Sequence, residues 1–122
     1  MTSHNRQHTS DINTSSANKF CNQDDRKQFF NDRAKNWTET CYPDYTQGTG
    51  NETEEKINRL LSLIPLQAGD TVADIGCGTG ILIHHLLDRI GKEGHLIEID
   101  YAEEMVRRNQ QRHQDARITF LT

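Results

Sequence analysis

Three alternating glycines preceded by an aspartate are the residues of this chain that point most directly to chemistry. They form the run Asp74-Ile75-Gly76-Cys77-Gly78-Thr79-Gly80, which begins inside the short apolar segment 71–75. Glycine has no Cβ, so such a run permits a tight turn and lets a ligand lie against the main chain. A helix that begins there adds the positive end of its dipole to the same place. The run therefore predicts a small-ligand site where a strand ends and a helix begins.

A second carboxylate follows at a spacing that suits the same site. Asp100 stands twenty residues after Gly80 and directly follows the apolar segment 95–99. In nucleotide sites on doubly wound sheets, an acid at the end of the second strand accepts hydrogen bonds from the ribose hydroxyls. The glycine run and this acid together indicate a site for a nucleotide cofactor.

The elements that must position these residues alternate between strand and helix. Apolar runs predict strands at 71–75, 95–99 and 117–121, and helical patterns lie between them at 81–90 and 102–114. This alternation is typical of right-handed βαβ units and a parallel sheet. We therefore predict an α/β fold, the N-terminal half of a doubly wound parallel sheet with strand order 3-2-1 and preceding helices.

The residues ahead of the first strand divide into two parts. Residues 1–23 are mostly Ser, Thr, Asn, Gln and His without an apolar period, so they predict a disordered polar tail. Residues 24–65 predict two helices, at 24–40 and 53–64, joined by a lid-like loop at 41–52. The domain organisation expected is thus a tail, a helical segment at 24–65 and a partial cofactor-binding domain at 66–122.

Composition excludes several classes of protein. The net charge is −4, which gives no electrostatic footprint for nucleic acid. No apolar stretch is long enough for a membrane helix, and the N-terminus carries no signal-peptide core. The three cysteines are an odd number without a CxxC pair, so we expect no disulfide scaffold, no metal site and a reducing cytoplasm.

The sequence resembles the class I S-adenosylmethionine-dependent methyltransferases. The resemblance covers roughly residues 25–122, and its specific part is 66–105. Within that part, 66–80 resembles the nucleotide-loop motif of the family, and 94–105 resembles the end of strand two with the helix after it. The segment 29–37 resembles a helix often found ahead of that core. The resemblance implies a Rossmann-like fold with S-adenosyl-L-methionine as cofactor.

The resemblance also implies which residues contact the cofactor. They are Asp74, Gly76, Cys77, Gly78, Gly80, Asp100, Tyr101 and Met105. In the family pattern Asp74 faces the methionine portion, the loop offers backbone groups, and Asp100 binds the ribose hydroxyls. Tyr101 and Met105 pack on the adenine. The sequence identifies no catalytic residue.

Several other side chains near the site are interpreted as structural. Cys77 is expected to be a small filler, because nothing in the sequence places a base beside it. His84 is interpreted as a partly exposed helix residue and Trp37 as a core residue. Tyr42 and Tyr45 lie in the predicted loop, where a role as a lid over the cofactor is the alternative to an ordinary surface position.

Three functions follow from these patterns. The first is a methyltransferase acting on an unidentified acceptor, with a small molecule favoured over nucleic acid. The second is a truncated cofactor-binding fragment without turnover, completed by another polypeptide or by self-association through an exposed sheet edge. The third is an NAD(P)-binding oxidoreductase module, which the G-x-G-x-G spacing disfavours because dehydrogenases use G-x-G-x-x-G.

Overall fold

A computed structural model describes residues 22–48 and 50–122 of the chain. Nearly all of the predicted tail, residues 1–21 of 1–23, lies outside these residues. The helices are α1 (Gln23–Arg33), α2 (Trp37–Cys41), α3 (Pro43–Gln47), α4 (Glu52–Ser62), α5 (Ile83–Ile90) and α6 (Glu103–Arg112). The strands are β1 (Thr71–Ile75), β2 (His95–Ile99) and β3 (Ile118–Leu121).

The three strands form one parallel sheet in the order β1-β2-β3. Asp74 of β1 is in register with Glu98 of β2, and Ile99 of β2 is in register with Leu121 of β3. Helix α5 connects β1 to β2, and α6 connects β2 to β3, so each strand pair is a βαβ unit. This confirms the predicted α/β fold and strand order.

The larger core lies on one face of the sheet. Alternate residues of a strand point to the same face, and on this face Val72 and Ile118 pack beside the fully buried Leu96. Against them lie the apolar stripes of α4 and α5, whose buried members are Ile57, Leu61, Ile83, Leu86, Leu87 and Ile90. Helix α4 therefore shares a core with the sheet, although it precedes the first strand.

The opposite face of the sheet carries exposed apolar side chains. Ile75 is 80% exposed and Leu121 is 47% exposed. Their register partner Ile99 is half-buried between them. Strand β1 also forms one edge of the sheet among the described strands. The two features create an apolar surface continuous with an unpaired strand edge.

The predicted helix at 24–40 is divided in two. Helix α1 ends at Arg33, a single 3-10 turn spans Ala34–Asn36, and α2 follows. The backbone leaves helical geometry at Asn36, with φ −120° and ψ 17°, a departure that the short polar side chain of asparagine tolerates. The break lets Phe30 and Trp37 both pack on the small cluster that holds the buried Ala34.

The predicted loop at 41–52 contains the short helix α3, which sequence reasoning missed. Pro43 is its first residue, a position where the missing amide hydrogen costs nothing, and Gly48 ends it with φ +64°. Asp44 of α3 then accepts hydrogen bonds from the amide and hydroxyl of Thr53, at 2.8 and 2.6 Å. Thus α3 caps the first turn of α4. None of the described helices is long and apolar enough to cross a membrane.

Candidate cofactor site

The glycine run forms the turn between β1 and α5. Gly76, Gly78 and Gly80 all have positive φ, at +80°, +55° and +86°, a conformation that strains residues with a Cβ. At Gly80 a Cβ would also lie 2.3 Å from Oδ1 of Asn109, whereas at Gly76 it would meet nothing within 4 Å. At Gly76, glycine is therefore required only by the backbone conformation. At Gly80, it is also required because it allows close packing against α6.

The amide groups of this turn are bonded to the end of β2. Gly76 and Cys77 donate to the carbonyl oxygen of Ile99, at 2.8 and 3.0 Å. Gly78 donates to Oδ2 of Asp100 at 2.9 Å. A phosphate site on a glycine-rich turn needs such amides to point at the anion, and here these three have protein acceptors. Backbone contacts to a cofactor at these residues would therefore use carbonyl oxygens or Cα atoms.

Asp100 orders the turn and also faces the candidate site. Its Oδ1 accepts from the amide of Ala102 at 2.9 Å, while its Oδ2 accepts from Gly78. The residue is 9% exposed. An ionised carboxylate offers roughly four acceptor positions, so about two remain beyond these backbone bonds. That number matches the two hydroxyls of a ribose diol.

A cavity of about 470 Å³ opens above the turn. Its wall includes Phe30, Trp37, Tyr42, Lys56, Ile57, Leu60, Asp74, Gly76, Cys77, Gly78, Thr79, Ile81, Leu82, Asp100, Tyr101 and Met105. Seven of the eight predicted contact residues are therefore brought together here. Gly80 is the exception, because it packs beneath the turn against Asn109.

Aromatic side chains form much of the apolar wall. The rings of Phe30 and Trp37 meet edge to face with centroids 5.5 Å apart, and Phe30 meets Tyr101 in the same way at 6.2 Å. Trp37 thus lines the cavity as well as packing on the smaller core, and its indole nitrogen also approaches Gly78. Of the two loop tyrosines, Tyr42 lines the cavity.

Two of the wall residues were not among the predicted contacts. Lys56 reaches the cavity from α4, and Thr79 lies in the turn, where its hydroxyl is 2.6 Å from that of Thr38. Thr79 stands within the glycine run but was given no role, and no motif marks Lys56, which belongs to an ordinary helix surface pattern. Its position at the cavity depends on how α4 packs against α5.

The acidic side chains give the cavity a negative character. Burial raises the pKa of Asp74, and the neighbouring charge of Asp100 raises it further. Two carboxylates facing one cavity repel a polyanionic ligand and attract a cationic one. The electrostatics therefore favour a ligand with positive charge beside Asp74.

A buried polar cluster, formed by Cys77, Glu98 and Asn109, supports the turn from below. Nδ2 of Asn109 donates to Oε2 of Glu98 at 2.7 Å and lies 3.5 Å from Sγ of Cys77. Glu98 is fully buried, and its Oε1 has no hydrogen-bond partner among the described residues. Sequence analysis missed this cluster, although a glutamate inside the apolar strand His95–Ile99 was a signal for it.

Burial also controls protonation in this cluster. It raises the pKa of Glu98 to about 7, with a further increase from the charge of Asp74 and an opposing effect of the Asn109 hydrogen bond. Burial and the charge of Glu98 raise the pKa of the Cys77 thiol as well. Cys77 is thus protonated at neutral pH, which agrees with its interpretation as a small filler and not a nucleophile.

The structure combines an α/β fold with a ligand-sized cavity at the glycine turn. Comparison with known proteins shows what this arrangement is similar to. The family of methyltransferase domains matches residues 72–122. The complex between Haloferax volcanii Trm112, a methyltransferase activator, and a methyltransferase contains a chain of the same fold. That chain is 24% identical with a TM-score of 0.54, over 75% of this chain and 37% of the other.

Two curated relatives of this chain are also named as methyltransferases. Nocamycin O-methyltransferase of Saccharothrix syringae is 41% identical over 49 residues, which are 40% of this chain and 18% of the relative. The 23S rRNA (uracil(1939)-C(5))-methyltransferase RlmD of Acinetobacter baumannii is 32% identical over 65 residues, which are 53% of this chain and 14% of the relative. The chain thus spans less than a fifth of the curated relatives it matches.

Residues 72–122 thus match a methyltransferase domain, which supports the resemblance to the class I S-adenosylmethionine-dependent methyltransferases. S-adenosylmethionine is the cofactor of this family, and the residues present fit it. Asp100 retains acceptor positions for a diol, apolar and aromatic side chains offer a surface for a base, and Asp74 adds negative charge for a sulfonium or ammonium group. The cavity volume also lies within the usual range of small-molecule sites, roughly 300–1,000 Å³.

Replacing two of the glycines by alanine should separate backbone strain from steric conflict. Gly76→Ala and Gly80→Ala both place a Cβ at a similar positive φ, which costs about 1–2 kcal/mol. Gly80→Ala also forces Asn109 to move, so we expect a further loss of about 1–3 kcal/mol. Urea unfolding followed by circular dichroism measures both, and equal losses would contradict the packing argument.

Removing the buried carboxyl of Glu98 should change how stability depends on pH. Its folded pKa of about 7 exceeds the ordinary 4.5, so the folded state binds more protons than the unfolded state between these values. Stability from this group therefore falls as pH rises from about 4.5 to 7. Between pH 4 and pH 8, the free energy of unfolding of Glu98→Gln should therefore rise by about 2–3 kcal/mol relative to that of the wild type.

Chemical unfolding across this pH range provides the measurement. Glu93→Gln removes an exposed carboxylate from the turn before β2 and serves as the control, with a profile parallel to wild type. A Glu98→Gln profile that also stays parallel to wild type would show that Glu98 ionises normally in the fold.

Proposed function

We propose that this chain binds S-adenosylmethionine in the cavity above the glycine turn and presents its methyl group to an acceptor. The observation that carries the proposal is Asp100, which fixes the turn through Gly78 while facing the same cavity as Asp74. When bound, the cofactor supplies an electrophilic methyl group on a sulfonium. The contribution of the chain is to hold that group in place, and such positioning is worth up to about 7–11 kcal/mol.

Each predicted contact residue has a role in this proposal. Asp100 accepts hydrogen bonds from the ribose hydroxyls, and Asp74 faces the cationic methionine portion. Tyr101 and Met105 pack against the adenine, since both lie on the apolar wall beside Asp100. The turn residues Gly76, Cys77 and Gly78 contact the cofactor through carbonyl oxygens and Cα atoms. Gly80 acts indirectly, by letting the turn pack against α6.

Two observations weigh against the alternative of a nicotinamide dinucleotide. The amides of Gly76, Cys77 and Gly78 already have protein acceptors, so they do not form a cradle for a pyrophosphate. The carboxylates of Asp74 and Asp100 would also repel that dianion. A cofactor with positive charge is electrostatically more complementary to this cavity.

We further propose a small-molecule acceptor and a location in the reducing cytoplasm. The net charge of −4 disfavours a polyanionic substrate, and the three cysteines suit a reducing compartment. One relative is named for nocamycin, and another for a uracil of 23S ribosomal RNA. An RNA acceptor is therefore the competing outcome, which methylation assays with total RNA and with metabolite extracts would distinguish.

Calorimetric titration with S-adenosylhomocysteine tests cofactor binding directly. We expect saturable binding by the chain and none of comparable strength with NADH. Asp100→Asn should weaken binding about ten- to a hundredfold, because a hydrogen bond to a charged group contributes about 1.5–3 kcal/mol.

Asp70→Asn is the matched control for this variant. Asp70 also accepts a backbone hydrogen bond in a turn, from Gln67 at 2.8 Å, but it lies outside the cavity wall. The affinity of Asp70→Asn for S-adenosylhomocysteine should equal that of the wild type. Tight binding of NADH without binding of S-adenosylhomocysteine would favour the oxidoreductase alternative over this proposal.

We also propose that the open sheet surface at β1 binds a second polypeptide or a second copy of the chain. An unpaired edge strand next to exposed apolar side chains is prone to such pairing, and Ile75 is 80% exposed there. Without a partner on this surface, self-association of the purified chain is the expected behaviour.

A charge placed on this surface should reduce the self-association. Ile75→Lys should shift the chain toward monomer at a fixed concentration, measured by sedimentation velocity. Leu63→Lys is the control, since Leu63 is 79% exposed and belongs to the end of α4, not to a strand. Equal effects of the two variants would mean that general surface hydrophobicity, and not the sheet, drives association.

A further inference from the structure

Two neighbouring histidines and a glutamate come together on the side of α5 that faces α3 and α4. Atoms of Glu54, His84 and His85 that can bind a metal all lie within 4.8 Å of one another. None of these residues belongs to the wall of the cofactor cavity. We refer to Glu54, His84 and His85 as the histidine cluster.

His85 is the most unusual member of the histidine cluster. It is only 4% exposed, and its Nε2 has no hydrogen-bond partner in the part of the chain that the structure describes. The same atom lies 3.3 Å from Oε2 of Glu54, without the alignment of a hydrogen bond. A buried ring nitrogen left in this way costs free energy unless another group satisfies it.

The other members of the histidine cluster lie close enough to bind the same ion as Nε2 of His85. The imidazole rings of His84 and His85 lie against each other, with centroids 3.9 Å apart and an angle of 34° between the rings. His84 is exposed, so an ion can reach the cluster from solvent. The hydroxyl of Tyr45 is 3.3 Å from Nε2 of His84, so α3 also contributes an oxygen beside the histidine cluster.

We propose that the histidine cluster binds a divalent transition ion of the Zn²⁺ type between α4 and α5. Two imidazoles and one carboxylate are a common ligand set for Zn²⁺, with solvent in the fourth position. Tetrahedral ligands at the usual Zn–N and Zn–O distances lie roughly 3.4 Å apart. The ligand atoms, now within 4.8 Å of one another, would therefore have to move closer together around an ion.

The position of the histidine cluster gives the ion a structural consequence. Glu54 belongs to α4, and both histidines belong to α5, which follows the glycine turn. Through the contact of Tyr45 with His84, the cluster also involves α3, the helix within the predicted lid-like loop. An ion bound there would join the segment ahead of the sheet to the helix that carries the cofactor turn. It would restrict motion of that segment relative to the cavity.

The direct test is titration of the untagged chain with Zn²⁺ by calorimetry. The wild type should bind one ion. His84→Ala and Glu54→Gln should each weaken binding at least tenfold, because loss of even an outer-shell partner commonly costs about 10–100-fold in metal affinity. Since His84 is exposed, its replacement is expected to leave the fold intact, which circular dichroism in the absence of metal verifies.

Two control variants make the assignment specific. His95→Ala removes a histidine that is bonded to Thr119 outside the histidine cluster, and its affinity should equal that of wild type. A double variant of the tail, His4→Ala with His8→Ala, should also bind normally. Weaker binding by the tail variant, or undiminished binding by His84→Ala, would overturn the proposal.

Thermal unfolding gives a second and independent readout. An ion that binds the folded state alone raises the unfolding temperature, so Zn²⁺ should stabilise the wild type and His95→Ala but not His84→Ala. Stabilisation of all three to the same extent, or of none, would rule out a site at the histidine cluster. Because no cofactor is present in these experiments, their result is independent of methyl transfer.

Discussion

The carbonyl oxygen of Ile99 determines the geometry on which the site depends. It accepts from Gly76 and Cys77, and the next residue, Asp100, accepts from Gly78. The turn after β1 is therefore attached to the end of β2 and not only to its own strand. This attachment requires positive φ in the turn, which explains the glycines. It also uses the amides that a phosphate would need, so the turn suits a cofactor bound through carbonyls and a carboxylate.

Buried polar side chains beneath the turn lower the stability of this arrangement. The Glu98 carboxyl is fully buried with one oxygen unsatisfied, and its pKa is raised to about 7. Asn109 compensates in part by donating to Glu98 while its own oxygen packs at Gly80. Buried polar groups that remain partly unpaired reduce stability. The chain thus gives up stability directly under the residues that form the cavity, a pattern common at functional sites.

The sheet and most of the residues that line the end of β1 and β2 at the cavity could be predicted because their signals are local. Apolar runs ended by glycine or aspartate define β1 and β2 to the residue, and the positions of Gly78 and Asp100 follow from the strand ends. Helix α3 was missed because Pro43 and Gly48, which usually mark a loop, here begin and end a short helix. Contacts between elements, such as those of Glu98 with Asn109 or Glu54 with His85, depend on packing, and no spacing along the chain reveals them.

The edge position of β1 has a consequence for the order of assembly. The same strand carries Ile75 on the open face and leads directly into Gly76 at the cavity. A polypeptide that pairs with this strand and a small molecule that fills the cavity would both reduce the freedom of the same few residues. If the proposed partner and cofactor both bind, the first to bind would lower the entropic cost for the other, and by reciprocity the gain in affinity would be equal in both directions. Cofactor occupancy and partner association would then be two measures of a single coupled equilibrium.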